Sequence, residues 1–274
     1  MLSTSEIIKK YELITKKSFG QNFLVHADLI DKIVKPANVS SEDEILEIGT
    51  GPAGLTTAIL RQNPKRLISV DLDERCIEIG KKEILPYYDN LELLYDDALR
   101  IDENKLFSGK FKIISNLPYN VGTVLIFKWL EHYIDKISLI NVLLQKEVVN
   151  RMAAKIATKD YGRISIMCQY LCDVKKQFDI SPKAFLPAPK VTSTVVTLTP
   201  KKDIDLDIIP ALSQLCKVAF NQKRKTIYNN LKGIYKNVPE ILEKCNISEK
   251  VRAEELKIED FVNLAKYKGL QTIK

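Results

Sequence analysis

Ser115-Asn116-Leu117-Pro118-Tyr119-Asn120 is the stretch of this chain best equipped for chemistry. It follows an apolar run, Phe111 to Ile114, that reads as a short buried strand. A strand ending in Asn-x-Pro-Tyr presents a side-chain amide, a stiff backbone and an aromatic face at one point. The Asn116 side-chain carbonyl and the Leu117 or Pro118 backbone carbonyl can accept hydrogen bonds from an exocyclic amine. Pro118 fixes its own φ and cannot donate, so the turn is rigid. Tyr119 offers a ring for base stacking, worth roughly 1–3 kcal/mol per base. The plainer reading is a strand-to-helix turn with an Asn cap, and the motif alone does not choose between the two.

The elements that would position this turn read in order along the first 200 residues. Residues 3–13 form an amphipathic helix. Lys16 to Leu24, with its glycine, two amides and two aromatics, reads as an ordered loop. Ala27 to Val34 is a helix by pattern. Glu44 to Ile48 is a strand running into Gly49-Thr50-Gly51-Pro52-Ala53-Gly54, where glycine lets the backbone turn tightly and approach a ligand. The helix from Leu55 to Arg61 aims its N-terminus at that ligand. Leu67 to Val70 is the next strand and ends at Asp71, where an acid typically holds ribose hydroxyls. A helix from Cys76 to Leu85 and a strand from Leu91 to Tyr95, ending at Asp96-Asp97, precede the strand that carries Asn116. Beyond it come helix 123–133, strand 138–144, helices 147–157 and 164–171, and strands near 174–180 and 193–199. Alternating strands and helices imply a parallel sheet with crossovers, binding ligands at one edge.

Gly49-x-Gly51-x-x-Gly54 matches the dinucleotide fingerprint, and Asp71 has near the expected spacing. A nicotinamide-dependent oxidoreductase is therefore one reading. Glu47 counts against it, because a carboxylate beside the loop repels a pyrophosphate and suits an ammonium group. Asp97 supplies an acceptor for an adenine amine. S-adenosylmethionine has the matching parts: ribose, adenine amine, ammonium, and no phosphate. Helix capping is the structural alternative for Asp71 and Asp97.

The chain has 274 residues, 45% hydrophobic and 28% charged, as expected of a soluble globular protein with one large and one small domain. After Pro200-Lys201-Lys202-Asp203 only helices are expected, at 208–220, 225–232, 239–244 and 259–268. The reading is a domain over residues 1–200 and a small all-α domain over 201–274. Net charge is +7, and it is uneven: from Lys201 on there are 15 Lys and Arg against 10 Asp and Glu, before it 27 against 25. A basic excess suggests an anionic partner, nucleic acid first, or else a solvated Lys-rich surface. Lys223-Arg224-Lys225, opening a helix, is one basic group; Arg151, Lys155, Lys159 and Arg163 are another. Five scattered cysteines and two distant histidines make no metal motif, and reduced thiols in a cytoplasm are expected. No membrane span or signal segment is expected.

Taken together, the motifs resemble those of the ribosomal RNA adenine dimethyltransferases, a family that includes the erythromycin-resistance methyltransferases. The matching stretches are KKSFGQNFL (16–24), LEIGTGPAGLT (46–56), VDLD (70–73), DDAL (96–99), SNLPYN (115–120), LLQKEVVNRMA (143–153), YGRISI (161–166), FLPAPKVTSTVV (185–196) and AFNQKRKTIYNNL (219–231), in the family's order. The last two look more like the housekeeping small-subunit branch than the resistance branch. The resemblance implies an α/β, Rossmann-like methyltransferase domain followed by a helical one. It implies S-adenosylmethionine held at Asn22, Leu24, Gly49, Asp71, Asp97 and Asn116, to which the reading of the glycine loop adds Glu47 and Gly51. Its expected substrate is a pair of adjacent adenosines in a hairpin near the 3′ end of small-subunit rRNA, met by a monomer on a pre-30S-type particle. Two departures stand out: Ala53 replaces a loop glycine that falls one place later at Gly54, and Asp71 stands where Glu is common. In this reading Asn116, with the Leu117 or Pro118 carbonyl, holds the target amine. Tyr119 stacks on one face of the base and Phe185 on the other, with core packing the alternative for Phe185. A large-subunit target or a non-catalytic role in ribosome assembly stays open.

Overall fold

A computed structural model describes residues 2–16, 19–233 and 235–267; Lys17 and Ser18 of the expected loop and Lys268 of the expected last helix lie outside these residues. The chain forms two compact units, one of residues 1–149 and 175–200, the other of 150–174 and 201–274. This differs from a single boundary at residue 200. The segment 150–174 packs with the later helices: the Tyr161 hydroxyl donates to the Leu256 carbonyl at 3.1 Å, and its ring meets Phe220 edge-on at 6.3 Å.

Helix α1 (Thr4–Lys10) starts from a reciprocal cap, in which the Ser3 hydroxyl accepts the Glu6 N–H and the Glu6 carboxylate accepts the Ser3 N–H. After the two-residue β1 (Phe23–Leu24) and α2 (Ala27–Val34), strands and helices alternate: β2 (Glu44–Ile48), α3 (Gly54–Leu60), β3 (Arg66–Asp71), α4 (Glu74–Glu83) and β4 (Leu91–Tyr95). The one-turn α5 (Glu103–Leu106), β5 (Phe111–Asn116), α6 (Gly122–His132) and β6 (Ile137–Gln145) follow. Then come α7 (Lys146–Met152), α8 (Arg163–Leu171), β7 (Cys172–Ile180), β8 (Phe185–Leu186) and β9 (Ser193–Pro200).

The large sheet has the order β4-β3-β2-β5-β6-β9-β7. From β4 to β6 all neighbours are parallel, as helix crossovers require. β9 pairs antiparallel with β6, against the expectation of a parallel sheet. It follows β7 with no α-helix between them, so the crossover rule does not govern it. Strand order reverses between β2 and β5, which makes the crevice beyond their C-terminal ends the natural ligand seat. The central strands are buried on both faces through Leu46, Ile68, Ile113 and Ile114. Trp129, fully buried on α6, donates its indole N–H to Glu103 at 2.8 Å.

In the second unit, α9 (Ile209–Ala219), α10 (Ile227–Leu231), α11 (Val238–Lys244) and α12 (Ile258–Lys266) follow. Phe220 stacks on Phe261 with ring centres 5.6 Å apart. α7 stops at Met152 instead of continuing to Ala157. Its terminal carbonyls are taken by side chains, Arg151 O by Ser165 Oγ at 2.6 Å and Met152 O by Gln169 Nε2 at 2.9 Å, and Ala157 has a left-handed backbone with φ of 61°.

Candidate active site

A cleft opens at the strand-order reversal, lined by Gly20 to Phe23, Gly49, Gly51, Asp71 and Asn116 to Tyr119. All of these belong to the first unit. Its floor is the turn after β2. Gly49 has φ of 87° and Gly51 φ of 51°, conformations in which a side chain is strained. A Cβ on Gly49 would stand 3.8 Å from the Asn116 carbonyl and touch nothing else within 4 Å, so the space above it is open. Ala53 takes the left-handed conformation that its position demands, φ 58°, despite its methyl group. Gly54 is required for packing instead: a Cβ there would lie 2.4 Å from Thr4 Oγ1 of α1. The shifted third glycine thus seats the N-terminal helix.

Asp71, at the end of β3, forms one wall. Its carboxylate accepts the Gly51 N–H at 2.9 Å and the Asp73 N–H at 2.8 Å. Burial pushes its carboxyl up from the usual range, against these two bonds. The opposite wall is the loop before β1. Gly20 has φ of 64°, and a Cβ there would run into Asn120 Oδ1. The Asn22 carbonyl accepts from Asn116 Nδ2 at 3.3 Å. That bond consumes an N–H of Asn116 and sets its amide so that Oδ1 remains an acceptor.

The two backbone carbonyls expected to assist Asn116 are not equivalent. Pro118 O already accepts the N–H groups of Val121 at 3.2 Å and Gly122 at 2.8 Å, closing the first turn of α6. Leu117 lines the cleft as well and donates its N–H to the Leu143 carbonyl at 3.2 Å, and its carbonyl does not carry the two helix-turn bonds that Pro118 O accepts. Leu117 is therefore the better backbone acceptor. Tyr119 is half-buried, its hydroxyl paired with Ser193 Oγ at the start of β9, which fixes the ring. Burial raises the phenol above its usual range.

Several expected site residues lie elsewhere. Glu47 does not line the cleft. Fully buried on β2, its Oε2 accepts from Thr56 Oγ1 at 2.7 Å and Ser69 Oγ at 2.6 Å, and Ser69 Oγ pairs with Thr50 Oγ1 at 2.7 Å. This network ties the glycine turn to the sheet. Oε1 has no hydrogen-bond partner, and burial pushes the carboxyl up to about 8, so at neutral pH it holds a proton and offers no charge to an ammonium group. Asp97, beyond β4, caps a turn by accepting the Leu99 N–H at 2.9 Å and lies outside the cleft lining. Leu24 is absent from the cleft lining itself but lines an adjoining pocket that shares Phe23, Gly49, Gly51 and Asn116 with it. Phe185 is 4% exposed and packs in the core with Leu24, Ile30 and Ile33; in β8 it is the register partner of Leu24. It presents no free face to a base, so core packing is its role.

The sequence reading missed Gly20, Gln21 and Phe23 as cleft residues. Phe23 is held against Gly51, where a Cβ would meet its ring at 3.4 Å. The signal was the pair of amides between two phenylalanines, which need partners when half-buried.

In the second unit Lys223, Arg224 and Lys225 form an exposed turn; they do not open α10, which begins after Thr226, whose hydroxyl accepts the Asn229 N–H at 3.4 Å. Lys223 Nζ lies 3.5 Å from the Lys159 carbonyl, which brings one lysine of each basic group together; Arg151 and Lys155 of the other group are exposed too. Arg163 is turned inward, its Nη2 donating to Ser213 Oγ at 3.1 Å. Among the described residues no group of three or more His, Cys, Asp or Glu could hold a metal ion, and no helix is long and apolar enough to cross a membrane.

The chain matches the family model described as ribosomal RNA adenine dimethylase over residues 13–269. It is 37% identical over 262 residues to a ribosomal RNA small subunit methyltransferase A of Wolbachia sp. subsp. Drosophila simulans, covering 94% of this chain and 95% of the relative. The protein of the same name from Ehrlichia ruminantium is 38% identical, with 93% and 97% covered. Among solved structures it resembles a dimethyladenosine transferase from Plasmodium falciparum, with a TM-score of 0.75, 30% identity and coverage of 87% and 94%. The fold is shared with the 23S rRNA methyltransferase ErmE at a TM-score of 0.65, 21% identity and coverage of 89% and 98%. This chain belongs to the ribosomal RNA adenine dimethylase family and is an S-adenosylmethionine-dependent methyltransferase of ribosomal RNA.

Proposed function

We propose that this enzyme dimethylates the exocyclic N6 amine of two adjacent adenosines in the 3′-terminal hairpin of small-subunit rRNA. It acts as a cytoplasmic monomer on a pre-30S-type particle during ribosome maturation. The observation that carries the reading is the strand-end turn Asn116 to Tyr119, facing the cleft between the glycine floor and Asp71. The small-subunit choice rests on the names of the relatives at 37% and 38% identity.

The residues fit the donor. Gly49 leaves open space where an amino-acid chain would pass, and Asp71 keeps lone pairs for ribose hydroxyls beside its two backbone bonds. Asn22 lines the cleft and Leu24 the pocket adjoining it, and Asp97, two residues past the end of β4, is the acceptor this reading assigns to the adenine amine. When bound, S-adenosylmethionine supplies an electrophilic methyl group on a sulfonium. The chain's part is placement. Asn116 Oδ1 and the Leu117 carbonyl accept the two N–H bonds of the adenine amine in the first transfer and the one that remains in the second, drawing the amine toward tetrahedral geometry and exposing its lone pair, and each transfer releases one amine proton to water. Tyr119 stacks on the base and, anchored through Ser193, holds its plane. Alignment of this kind supplies much of a transfer rate without a strong general base. A loop adenosine reaches such a pocket more cheaply than one in a helix. The exposed turn Lys223 to Lys225, with Arg151 on the same unit, supplies phosphate contacts.

The test is transfer of a radiolabelled methyl group to unmodified small and large ribosomal subunits, followed by digestion to nucleosides. The reading expects N6,N6-dimethyladenosine in small-subunit RNA alone. Label confined to the large subunit, or on another nucleoside, would overturn it.

A further inference from the structure

Asp73 is almost wholly buried, yet it does not line the donor cleft. It lies two residues past the acid at the end of β3, and its backbone N–H donates to Asp71 Oδ1 at 2.8 Å. Its carboxylate accepts from Gln21 Nε2 at 3.0 Å and Arg75 Nη2 at 2.6 Å, with Lys16 Nζ at 3.5 Å. Burial alone would raise this acid; Arg75, Gln21 and Lys16 outweigh it and bring the carboxyl to about 2. Gln21 is engaged at both ends, since its Oε1 also accepts the Lys16 backbone N–H at 2.8 Å. The next residue, Asn22, gives its carbonyl to Asn116. Asp73 therefore joins the two walls of the cleft: its backbone orients Asp71, and its side chain anchors the segment that orients Asn116.

Resting on the donor site proposed above, we infer that Gln21 and Asp73 form a brace that presets the donor cleft, Asp73 acting as a positioning residue through Asp71 and through Gln21, which itself lines the cleft and holds Asn22. A wall ordered before the ligand arrives need not be ordered by it, so the brace contributes to affinity for donor and product. The chemical step at saturating donor depends on Asn116 and Leu117, which the brace does not replace. Its loss raises KM for the donor and leaves kcat nearly as it was.

The experiment uses the full-length enzyme, calorimetry with S-adenosylhomocysteine, and transfer kinetics on small subunits. Gln21→Ala leaves the α4 cap intact, because Asp73 Oδ1 still accepts the Arg75 N–H. A bond to a charged group lost here raises Kd and donor KM about tenfold, with kcat changed less than about threefold. Trypsin cleaves faster after Lys16. Gln21→Glu sets two carboxylates face to face and weakens binding further. Adding Asp73→Asn to Gln21→Glu restores the bond with its polarity reversed, and Asn remains a good helix cap. The double variant recovers most of the affinity, which a residue serving only the fold would not produce. Wild-type affinity and trypsin resistance in Gln21→Ala, or a double variant no tighter than Gln21→Glu, would overturn the brace. A wild-type enzyme that binds no S-adenosylhomocysteine would overturn the donor site itself, and the brace with it.

Discussion

Glu47 makes the glycine floor sensitive to pH. Its carboxyl moves from an ordinary 4.5 to about 8 because burial penalises the charge, and the Ser69 and Thr56 hydroxyls only partly offset this. Below pH 4.5 the acid is protonated in both folded and unfolded chains and costs nothing. Between 4.5 and about 8 the unfolded chain releases the proton and the folded one keeps it, so stability falls as pH rises. Above about 8 the loss is complete. Its size is on the order of 3–5 kcal/mol. Asp71 is shifted in the same direction and adds to the slope, whereas Asp73, held near 2, is ionised throughout. Glu47→Gln keeps a carbonyl for the two hydroxyls and has no proton to lose. Urea unfolding between pH 5 and 9, followed by the fluorescence of the single, buried Trp129, measures the effect. Wild type loses stability across this range, and the variant loses less by roughly 3–5 kcal/mol. Parallel curves for the two proteins would refute a protonated Glu47 beneath the cleft.

Asn116→Ala removes an acceptor used in the transition state, and single-turnover methylation should fall by about 10²–10³-fold while S-adenosylhomocysteine affinity changes only several-fold. Gly49→Ala places a methyl where the nearest described atom is 3.8 Å away but in a strained backbone; calorimetry should show donor affinity reduced at least about tenfold, with strain of roughly 1–2 kcal/mol in unfolding. Gly54→Ala forces Thr4 away and should cost about 1–3 kcal/mol in the same assay. Replacing Lys223, Arg224 and Lys225 by Ala should weaken small-subunit binding and lower the slope of log affinity against log salt by about one for each phosphate no longer neutralised.

Much of the first unit was legible because its periodicity is strong. Glu44–Ile48 and Ala27–Val34 carry uninterrupted strand and helix patterns, and both elements have those bounds. The Asn116 turn was legible because a strand end, a proline and an aromatic coincide. What could not be read depends on partners distant in sequence. Gln21 and Asp73 are 52 residues apart. α7 ends where Ser165 and Gln169 reach back for its carbonyls. β1 and β8, two residues each, are too short for any period to show, and their pairing is what carries Phe185 into the core. Glu47 was read as a charge beside the glycine loop because its place two residues before Gly49 does not say whether the side chain meets water, and the strand that carries it is buried on both faces.

The most direct measurement is a crystal structure of the enzyme with S-adenosylhomocysteine. The amino-acid portion should lie over Gly49, the ribose against Asp71, and the sulfur directed toward Asn116 Oδ1 and the Leu117 carbonyl. A ligand lodged outside this cleft, or an Asn116 amide turned away from the sulfur, would contradict the account.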